Sequence, residues 1–115
     1  MKYFVTGGTG FIGRRVVDRL VEDGHDVVVA TRSPGTATML PDDVPVVEAD
    51  ITDPETLREP MRDADGVFHM AAWYFVGPGP ENEALAHRIN VDGTRNVLEL
   101  MRELAIPRGV YTSTV

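Results

Sequence analysis

The stretch Thr6-Gly7-Gly8-Thr9-Gly10-Phe11-Ile12-Gly13 decides how this chain folds. Before it, Tyr3-Phe4-Val5 is typical of a short buried strand, and after it apolar residues recur at the spacing of a helix. These apolar residues are Phe11, Ile12, Val16, Val17, Leu20 and Val21. A glycine-rich turn between a strand and a helix bends at positive φ, admits a close ligand and presents helix N–H groups to phosphates. The stretch therefore predicts a strand, loop and helix that hold the pyrophosphate of a dinucleotide.

Two glycine patterns overlap in this stretch. Gly8-x-Gly10-x-x-Gly13 fits the general dinucleotide pattern, whereas Gly7-x-x-Gly10-x-x-Gly13 has three-residue spacing and is the more specific of the two. A glycine-rich turn before an ordinary helix is the alternative, and the strand and helix on either side count against it. We expect Thr6, Gly7, Gly10, Phe11, Ile12 and Gly13 to bind the cofactor.

Length and composition exclude several classes of protein. With 115 residues the chain is expected to form one domain, residues 1–115, which is short for a whole doubly wound enzyme and so looks truncated. The net charge of −7 opposes binding to nucleic acid or to an anionic membrane surface. There is no cysteine, no signal sequence and no apolar run of membrane-spanning length, so the cytoplasm is the expected compartment.

Strand and helix patterns alternate along the whole chain, which is typical of a parallel sheet covered by helices on both faces. Strands are predicted at 3–5, 27–30, 44–50, 67–72 and 110–115, and helices from 11 to about 24, from 54 to about 64 and from 81 to before Pro107. We expect an α/β, Rossmann-like doubly wound sheet of about five strands in the order 3-2-1-4-5. Gly93 lies in the apolar stripe of the last helix and predicts close packing there. His69 is predicted to be structural, since no partner is evident within its apolar strand.

The tip of the second strand bears on the choice of cofactor. A carboxylate at this position would accept a hydrogen bond from the ribose 2′-hydroxyl of NAD, but the sequence reads Ala30-Thr31-Arg32-Ser33. A guanidinium binds a dianionic phosphate in bidentate fashion, so Arg32 favours NADP over NAD. The alternative is an exposed arginine that stacks on adenine or is merely solvated.

Five motifs in order along the chain carry a family resemblance. They are Thr6 to Gly13, Ala49-Asp50-Ile51, His69-Met70-Ala71-Ala72, Asn90-Val91-Asp92-Gly93-Thr94-Arg95-Asn96-Val97-Leu98 and Val110-Tyr111-Thr112-Ser113-Thr114. With them the chain resembles the extended branch of the short-chain dehydrogenase/reductase superfamily. That branch includes NAD(P)-dependent epimerases, dehydratases and dihydroflavonol-reductase-like enzymes.

The resemblance implies roles for individual residues. Asp50 and Ile51 would frame the adenine, Ala71 and Ala72 would pass beside the cofactor, and Asn90 would help to order the catalytic site. Thr114 would be the catalytic hydroxyl that holds the substrate oxygen, with Ser113 as the fallback. Taken singly, Asp50 could be only a turn acceptor, the alanines only small core residues, and Asn90 a polar helix residue bonded to nearby backbone.

The family's acid/base pair, Tyr-x-x-x-Lys, does not occur in the sequence. In the family this pair lies a few tens of residues beyond the catalytic hydroxyl, which would place it after Val115. The resemblance implies hydride transfer between a nicotinamide cofactor and a hydroxyl or carbonyl carbon of a small molecule, without a metal. The rival is a regulatory domain of the same fold that senses NADP without turnover. A homodimer through the long helix is also expected.

Overall fold

The computed structural model describes residues 1–32, 34–36, 40–41, 43–71 and 80–112. Five strands and four α-helices alternate along these residues. They are β1 (Lys2–Thr6), α1 (Phe11–Glu22), β2 (Asp26–Thr31), β3 (Val46–Glu48), α2 (Pro54–Met61), β4 (Gly66–His69), α3 (Pro80–His87), α4 (Gly93–Glu103) and β5 (Arg108–Tyr111). A 3₁₀ turn covers Pro34–Thr36 and a π-helical turn covers Arg88–Asp92.

The strands form one parallel sheet in the order β3-β2-β1-β4-β5, which confirms the predicted topology. β1 lies at the centre, with Phe4 opposite Val28 of β2 and Val67 of β4. The chain therefore leaves β1 toward one side of the sheet and later returns to its other side. In such sheets a crevice opens beyond the carboxyl ends of the two strands at this reversal.

Two apolar layers cover the two faces of the sheet. Phe4 and Val5 are both fully buried but belong to different layers, because successive side chains of a strand point to opposite faces. The layer around Val5 includes Val17 and Leu20 of α1, and the layer around Phe4 includes side chains of α2 and α4. None of the helices in the described part of the chain is long and apolar enough to span a bilayer.

Phe11 and Ile12 differ from the sequence-based expectation. Their spacing placed them on the buried face of α1, but their exposed fractions are 68% and 63%. They lie in the first turn of the helix, before its buried positions begin. Burial of α1 begins with Gly13 and continues through Val17 and Leu20.

The long helix predicted from residue 81 is not regular. The π turn at Arg88–Asp92 separates α3 from α4, and Gly93 follows it directly. Apolar residues in this region recur in four-residue steps, which overshoot the 3.6-residue turn of an α-helix. The wider π turn takes up this drift, so that Ile89, Gly93 and Val97 are all buried.

Gly93 packs closely, as the sequence predicted. A Cβ on Gly93 would lie 2.7 Å from Cδ1 of Ile51, so the glycine lets the loop after β3 lie directly on the helix. Asn96 Nδ2, one turn further along α4, donates a hydrogen bond to the Ile51 carbonyl oxygen at 2.9 Å. Both contacts hold the Asp50-Ile51 segment against the start of α4.

The carboxyl ends of β1 and β4 are joined by two buried side chains. Thr6 and His69 are paired in the sheet and are only 1% and 4% exposed. The Thr6 hydroxyl lies 2.7 Å from His69 Nδ1, and the Thr94 hydroxyl of α4 lies 2.9 Å from His69 Nε2. His69 is therefore structural, as predicted, but it has two partners that the sequence did not reveal.

We expect His69 to make stability depend on pH. Burial lowers the pKa of His69 from 6.5 to about 4, so the unfolded chain takes up the proton first as the pH falls. The stabilising contribution is complete above pH 6.5 and is lost as the pH falls toward 4. Between pH 7 and pH 5 the loss amounts to about 2 kcal/mol.

Urea unfolding at a series of pH values measures this loss. His69→Gln is the matched control, because its amide can hydrogen-bond but cannot titrate. Between pH 7 and pH 5 the free energy of unfolding of this variant should fall by about 2 kcal/mol less than that of the wild type. Equal pH dependence in the two proteins would show that His69 is not the titrating group.

Candidate dinucleotide-binding site

The predicted glycine loop lies at the crevice between the ends of β1 and β4. Gly7 follows β1 at φ +74°, and a Cβ there would lie 2.5 Å from the carbonyl carbon of Met70 and 2.6 Å from the nitrogen of Ala71. The loop therefore rests directly on the chain that leaves β4. The Thr6 hydroxyl oxygen accepts hydrogen bonds from the Met70 and Ala71 N–H groups at 3.1 and 3.2 Å.

Gly13 is required by the fold of the loop itself. A Cβ on Gly13 would lie 2.0 Å from the carbonyl oxygen of Gly7. That same oxygen accepts a hydrogen bond from the Gly10 N–H at 3.2 Å, which closes the turn. Gly7 and Gly13 thus have internal reasons to be glycine, before any ligand is considered.

Gly10 has no such internal reason. Its backbone is extended, with φ −77° and ψ 174°, which any residue can adopt. Among the residues that the structure describes, a Cβ on Gly10 would meet only the Gly7 carbonyl oxygen, at 3.4 Å. The fold therefore leaves open space at Gly10, which is what the close approach of a ligand requires.

The amino terminus of α1 is available to an anion. Gly10 caps the helix without a side chain, and there is no acidic residue in the first turn. The first N–H groups of a helix have no partner within the helix, and the helix dipole makes this end electropositive. Phe11, Ile12 and Gly13 carry these groups, so the sequence-predicted residues lie together at one electropositive turn.

A second cleft, of about 470 Å³, lies at the ends of β2 and β3. Its lining includes Arg32, Glu48, Ala49, Asp50 and Thr56. Arg32, predicted to bind the 2′-phosphate, and Asp50, predicted to frame the adenine, thus line the same cleft. Glu48 was not predicted from the sequence; it is paired with Thr31 across the sheet and thus brings a carboxylate next to the tip of β2.

Asp50 has a definite structural role in this cleft. Its Oδ1 accepts hydrogen bonds from the Thr52 N–H at 2.9 Å and from the Thr52 hydroxyl at 2.7 Å. Burial alone would raise the pKa of Asp50, but these two bonds and the positive charges of Arg32 and Arg88 outweigh burial and lower it. Asp50 is thus an ionised turn acceptor at the edge of the cleft, as one of the two sequence interpretations held.

The adjoining residues on the long helix were only partly foreseen. Asn90 lies in the π turn, four residues before Thr94, which contacts His69. The contacts of Thr94 and Asn96 were missed, although both residues lie in a quoted motif. The detectable signal was spacing, since Asn96 lies three residues after Gly93 and so shares its face of the helix.

Some predicted site residues lie outside the described part of the chain. These are Ala72, Ser113 and Thr114. Ala71 is described, and its N–H is one of the two that donate to the Thr6 hydroxyl oxygen. Among the residues that the structure covers, no three His, Asp or Glu side chains are grouped so as to hold a metal ion.

Solved structures share this fold. The UDP-glucose 4-epimerase of Thermotoga maritima, solved with UDP-glucose, matches with a TM-score of 0.89 and 32% identity over 99% of this chain and 38% of its own. The Thermus thermophilus UDP-glucose 4-epimerase, solved with NAD, matches with a TM-score of 0.84 and 31% identity over 99% of this chain and 38% of its own.

Sequence relatives agree with the structural matches. A Synechocystis protein that carries the provisional name dihydroflavonol 4-reductase is 42% identical over 98% of this chain and 32% of its own length. The chain thus spans about a third of the length of the relatives that it resembles. A family model described as "NAD dependent epimerase/dehydratase family" matches residues 3–115. With its glycine loop, sheet order and relatives in agreement, the chain belongs to the NAD-dependent epimerase/dehydratase family, within the short-chain dehydrogenase/reductase superfamily.

Proposed function

We propose that the crevice binds a nicotinamide dinucleotide and that this chain is the cofactor-binding domain of an enzyme that transfers hydride between the dinucleotide and a hydroxyl or carbonyl carbon of a small molecule. This proposal rests on the open space at Gly10, beside the start of α1, where no side chain caps the helix. The fold does not need glycine at this position, but a bound pyrophosphate does. The NAD in the Thermus thermophilus epimerase supports the same ligand class.

Two groups of residues would bind different parts of the cofactor. The pyrophosphate would lie at the loop and first helical turn formed by Thr6, Gly7, Gly10, Phe11, Ile12 and Gly13. The adenosine would extend toward Arg32, Asp50 and Ile51, and the cofactor would pass beside Ala71 and Ala72. In this arrangement the phosphate charge meets the electropositive end of α1, and the adenosine occupies the cleft at the ends of β2 and β3.

The reaction needs groups that hold the substrate and move a proton. When bound, the nicotinamide supplies or accepts the hydride. Thr114, or else Ser113, would hold the substrate oxygen, and Asn90 would help to order the site. A tyrosine can exchange a proton with that oxygen near neutral pH only if a nearby cation lowers its pKa. Since these 115 residues contain no Tyr-x-x-x-Lys pair, we propose that by themselves they bind cofactor weakly and transfer no hydride.

The substrate class proposed here is a sugar nucleotide or a ketone-like molecule. The solved Thermotoga maritima relative holds UDP-glucose, and the Synechocystis relative is named as a reductase. A regulatory domain that binds NADP without turnover is the alternative. Hydride transfer by a protein that contains this chain would exclude that alternative, whereas cofactor binding without turnover on any such substrate would favour it.

We also propose a homodimer through the long helix, and the cytoplasm as the compartment. Val91 and Leu98 are exposed apolar side chains seven residues apart, and so lie on one side of that helix. A second copy could cover both. In analytical ultracentrifugation, Leu98→Glu would shift such a dimer toward monomer, and an unchanged mass would contradict the assignment of this face.

Gly10→Ala tests the site directly. We expect the added methyl group to enter the space proposed for the pyrophosphate, so that affinity for the dinucleotide falls at least tenfold, or about 1.4 kcal/mol. The free energy of unfolding should fall by only about 1 kcal/mol or less, the cost of losing glycine at a helix cap. Isothermal titration calorimetry and urea unfolding measure the two effects.

Two controls separate binding from folding at this loop. Free adenosine has no pyrophosphate, so its affinity should not change in Gly10→Ala. Gly13→Ala should instead cost about 3 kcal/mol of stability, because its methyl group meets the Gly7 carbonyl oxygen. Unchanged dinucleotide affinity in a folded Gly10→Ala variant would refute the proposed site.

The charges of Arg32 and Glu48 favour different cofactors. Arg32 favours the 2′-phosphate of NADP, whereas the Glu48 carboxylate in the same cleft would repel this phosphate and suit the 2′-hydroxyl of NAD. We propose that Arg32 dominates and NADP is preferred, with NAD as the alternative. Arg32→Ala should then lower the ratio of NADPH to NADH affinity about tenfold, the effect of losing one charged hydrogen bond of about 1.5 kcal/mol.

The matched variant Glu48→Gln should shift the same ratio toward NADPH, because it removes the repulsion without changing the side chain's size. Fluorescence titration with both reduced cofactors gives the ratio for each protein. If the preference for NADPH were unchanged in Arg32→Ala, Arg32 would not be the phosphate ligand.

A further inference from the structure

A continuous hydrogen-bonded chain runs from β1 through β4 to α4. The Thr6 hydroxyl is 2.7 Å from His69 Nδ1, and the opposite ring nitrogen, Nε2, is 2.9 Å from the Thr94 hydroxyl. The imidazole also stacks on the ring of Tyr111 of β5, with ring centroids 5.7 Å apart and planes inclined by 22°. One buried ring of β4 thus contacts β1, α4 and β5.

The hydrogen bonds of Thr6 fix the direction of this chain. A threonine hydroxyl has one proton and two lone pairs. Its oxygen accepts the Ala71 N–H at 3.2 Å and shares the Met70 N–H with the Thr6 backbone carbonyl oxygen, at 3.1 and 3.0 Å. Of the described groups within hydrogen-bond distance of this hydroxyl, Nδ1 of His69 alone can accept its proton. The ring therefore carries its own proton on Nε2 and donates to Thr94.

The three residues lie next to the parts of the proposed site that must keep a fixed spacing. Thr6 directly precedes Gly7, and its oxygen holds the Ala71 N–H beside which the cofactor would pass. Thr94 lies one helical turn after Asn90. Any change in the tilt of the ring would therefore move the glycine loop, the end of β4 and the Asn90 segment relative to one another.

We propose that His69 is a positioning residue that, as a neutral imidazole protonated on Nε2, holds the glycine loop and the Asn90 helix in register for cofactor binding. Its contribution to cofactor binding rests on the function proposed above, but the hydrogen-bonded chain does not. A purely space-filling role is a poor fit, because an apolar ring would leave the buried Thr6 proton without an acceptor.

Three substitutions at His69 separate its two hydrogen bonds from its volume. His69→Phe keeps the aromatic ring and its stacking on Tyr111 but removes both bonds. His69→Asn can place an amide oxygen near the former Nδ1 and accept from Thr6. His69→Gln reaches farther and can place an amide N–H near the former Nε2, donating to Thr94.

We expect dinucleotide affinity to fall at least tenfold in His69→Phe, the effect of losing about one well-formed buried hydrogen bond. His69→Asn should recover part of this loss, because the Thr6 bond holds the loop. Amide hydrogen exchange gives a readout that needs no cofactor. In His69→Phe the Met70 and Ala71 N–H groups should exchange about tenfold faster relative to those of β2.

Phe68→Leu is the matched control in the same strand. Phe68 lies on the other face of the sheet, where it packs edge-on against Tyr3 with ring centroids 5.4 Å apart. This variant should lower stability without selectively exposing the Met70 and Ala71 amides. If it changed affinity and exchange as much as His69→Phe does, His69 would be an ordinary core residue and the proposal would be overturned.

Imidazole ¹⁵N chemical shifts in the wild-type protein test the direction of the chain. The proposal requires the proton on Nε2, and a ring protonated on Nδ1 would contradict it. If the wild type bound neither NAD nor NADP, the proposed function would fail. The exchange and ¹⁵N measurements would still decide whether His69 holds the loop.

Discussion

The close approach of two backbone segments at the carboxyl edge of the sheet is the constraint on which the rest of the site depends. Gly7 lies so near the Met70–Ala71 peptide that a Cβ would fall 2.5 Å from a backbone carbon. This contact is possible only because Gly7 has no side chain, and its φ of +74° also favours glycine. The Thr6 hydroxyl oxygen stabilises the contact by accepting hydrogen bonds from the Met70 and Ala71 N–H groups. The contact fixes the direction in which α1 leaves the loop, and so where the helix dipole points.

The same edge is held from the side by α4. Gly93 admits Ile51, and Asn96 binds the Ile51 carbonyl oxygen, so the loop that carries Asp50 cannot shift without the helix. Thr94 of the same helix contacts His69. The start of α4 thus contacts both the Ile51 segment after β3 and His69 of β4. This accounts for a motif in which glycine, threonine and asparagine stand close together, each with a different packing or hydrogen-bonding task.

Much of this arrangement could be predicted from the sequence, because local patterns determine it. Apolar runs and glycine turns indicated the strands and helices, and the doubly wound topology expected for them supplied the strand order. The apolar stripe on the last helix predicted the close contact at Gly93. Contacts between distant segments could not be read in this way. The partners of His69 and the carboxylate of Glu48 beside Thr31 depend on the register of neighbouring strands. Helical periodicity likewise does not show which turns of a helix are covered by the rest of the fold. The exposure of Phe11 could therefore not be predicted from the sequence.

The central claim is that the N–H groups at the start of α1 hold a dinucleotide pyrophosphate. The most direct measurement is a ¹H–¹⁵N correlation spectrum of the protein titrated with NADP and with NAD. We expect saturable shifts in the amides of Gly10, Phe11, Ile12 and Gly13, accompanied by Ala71 across the crevice. Saturable shifts confined to other parts of the protein, or no shifts at millimolar concentrations of either cofactor, would contradict this claim.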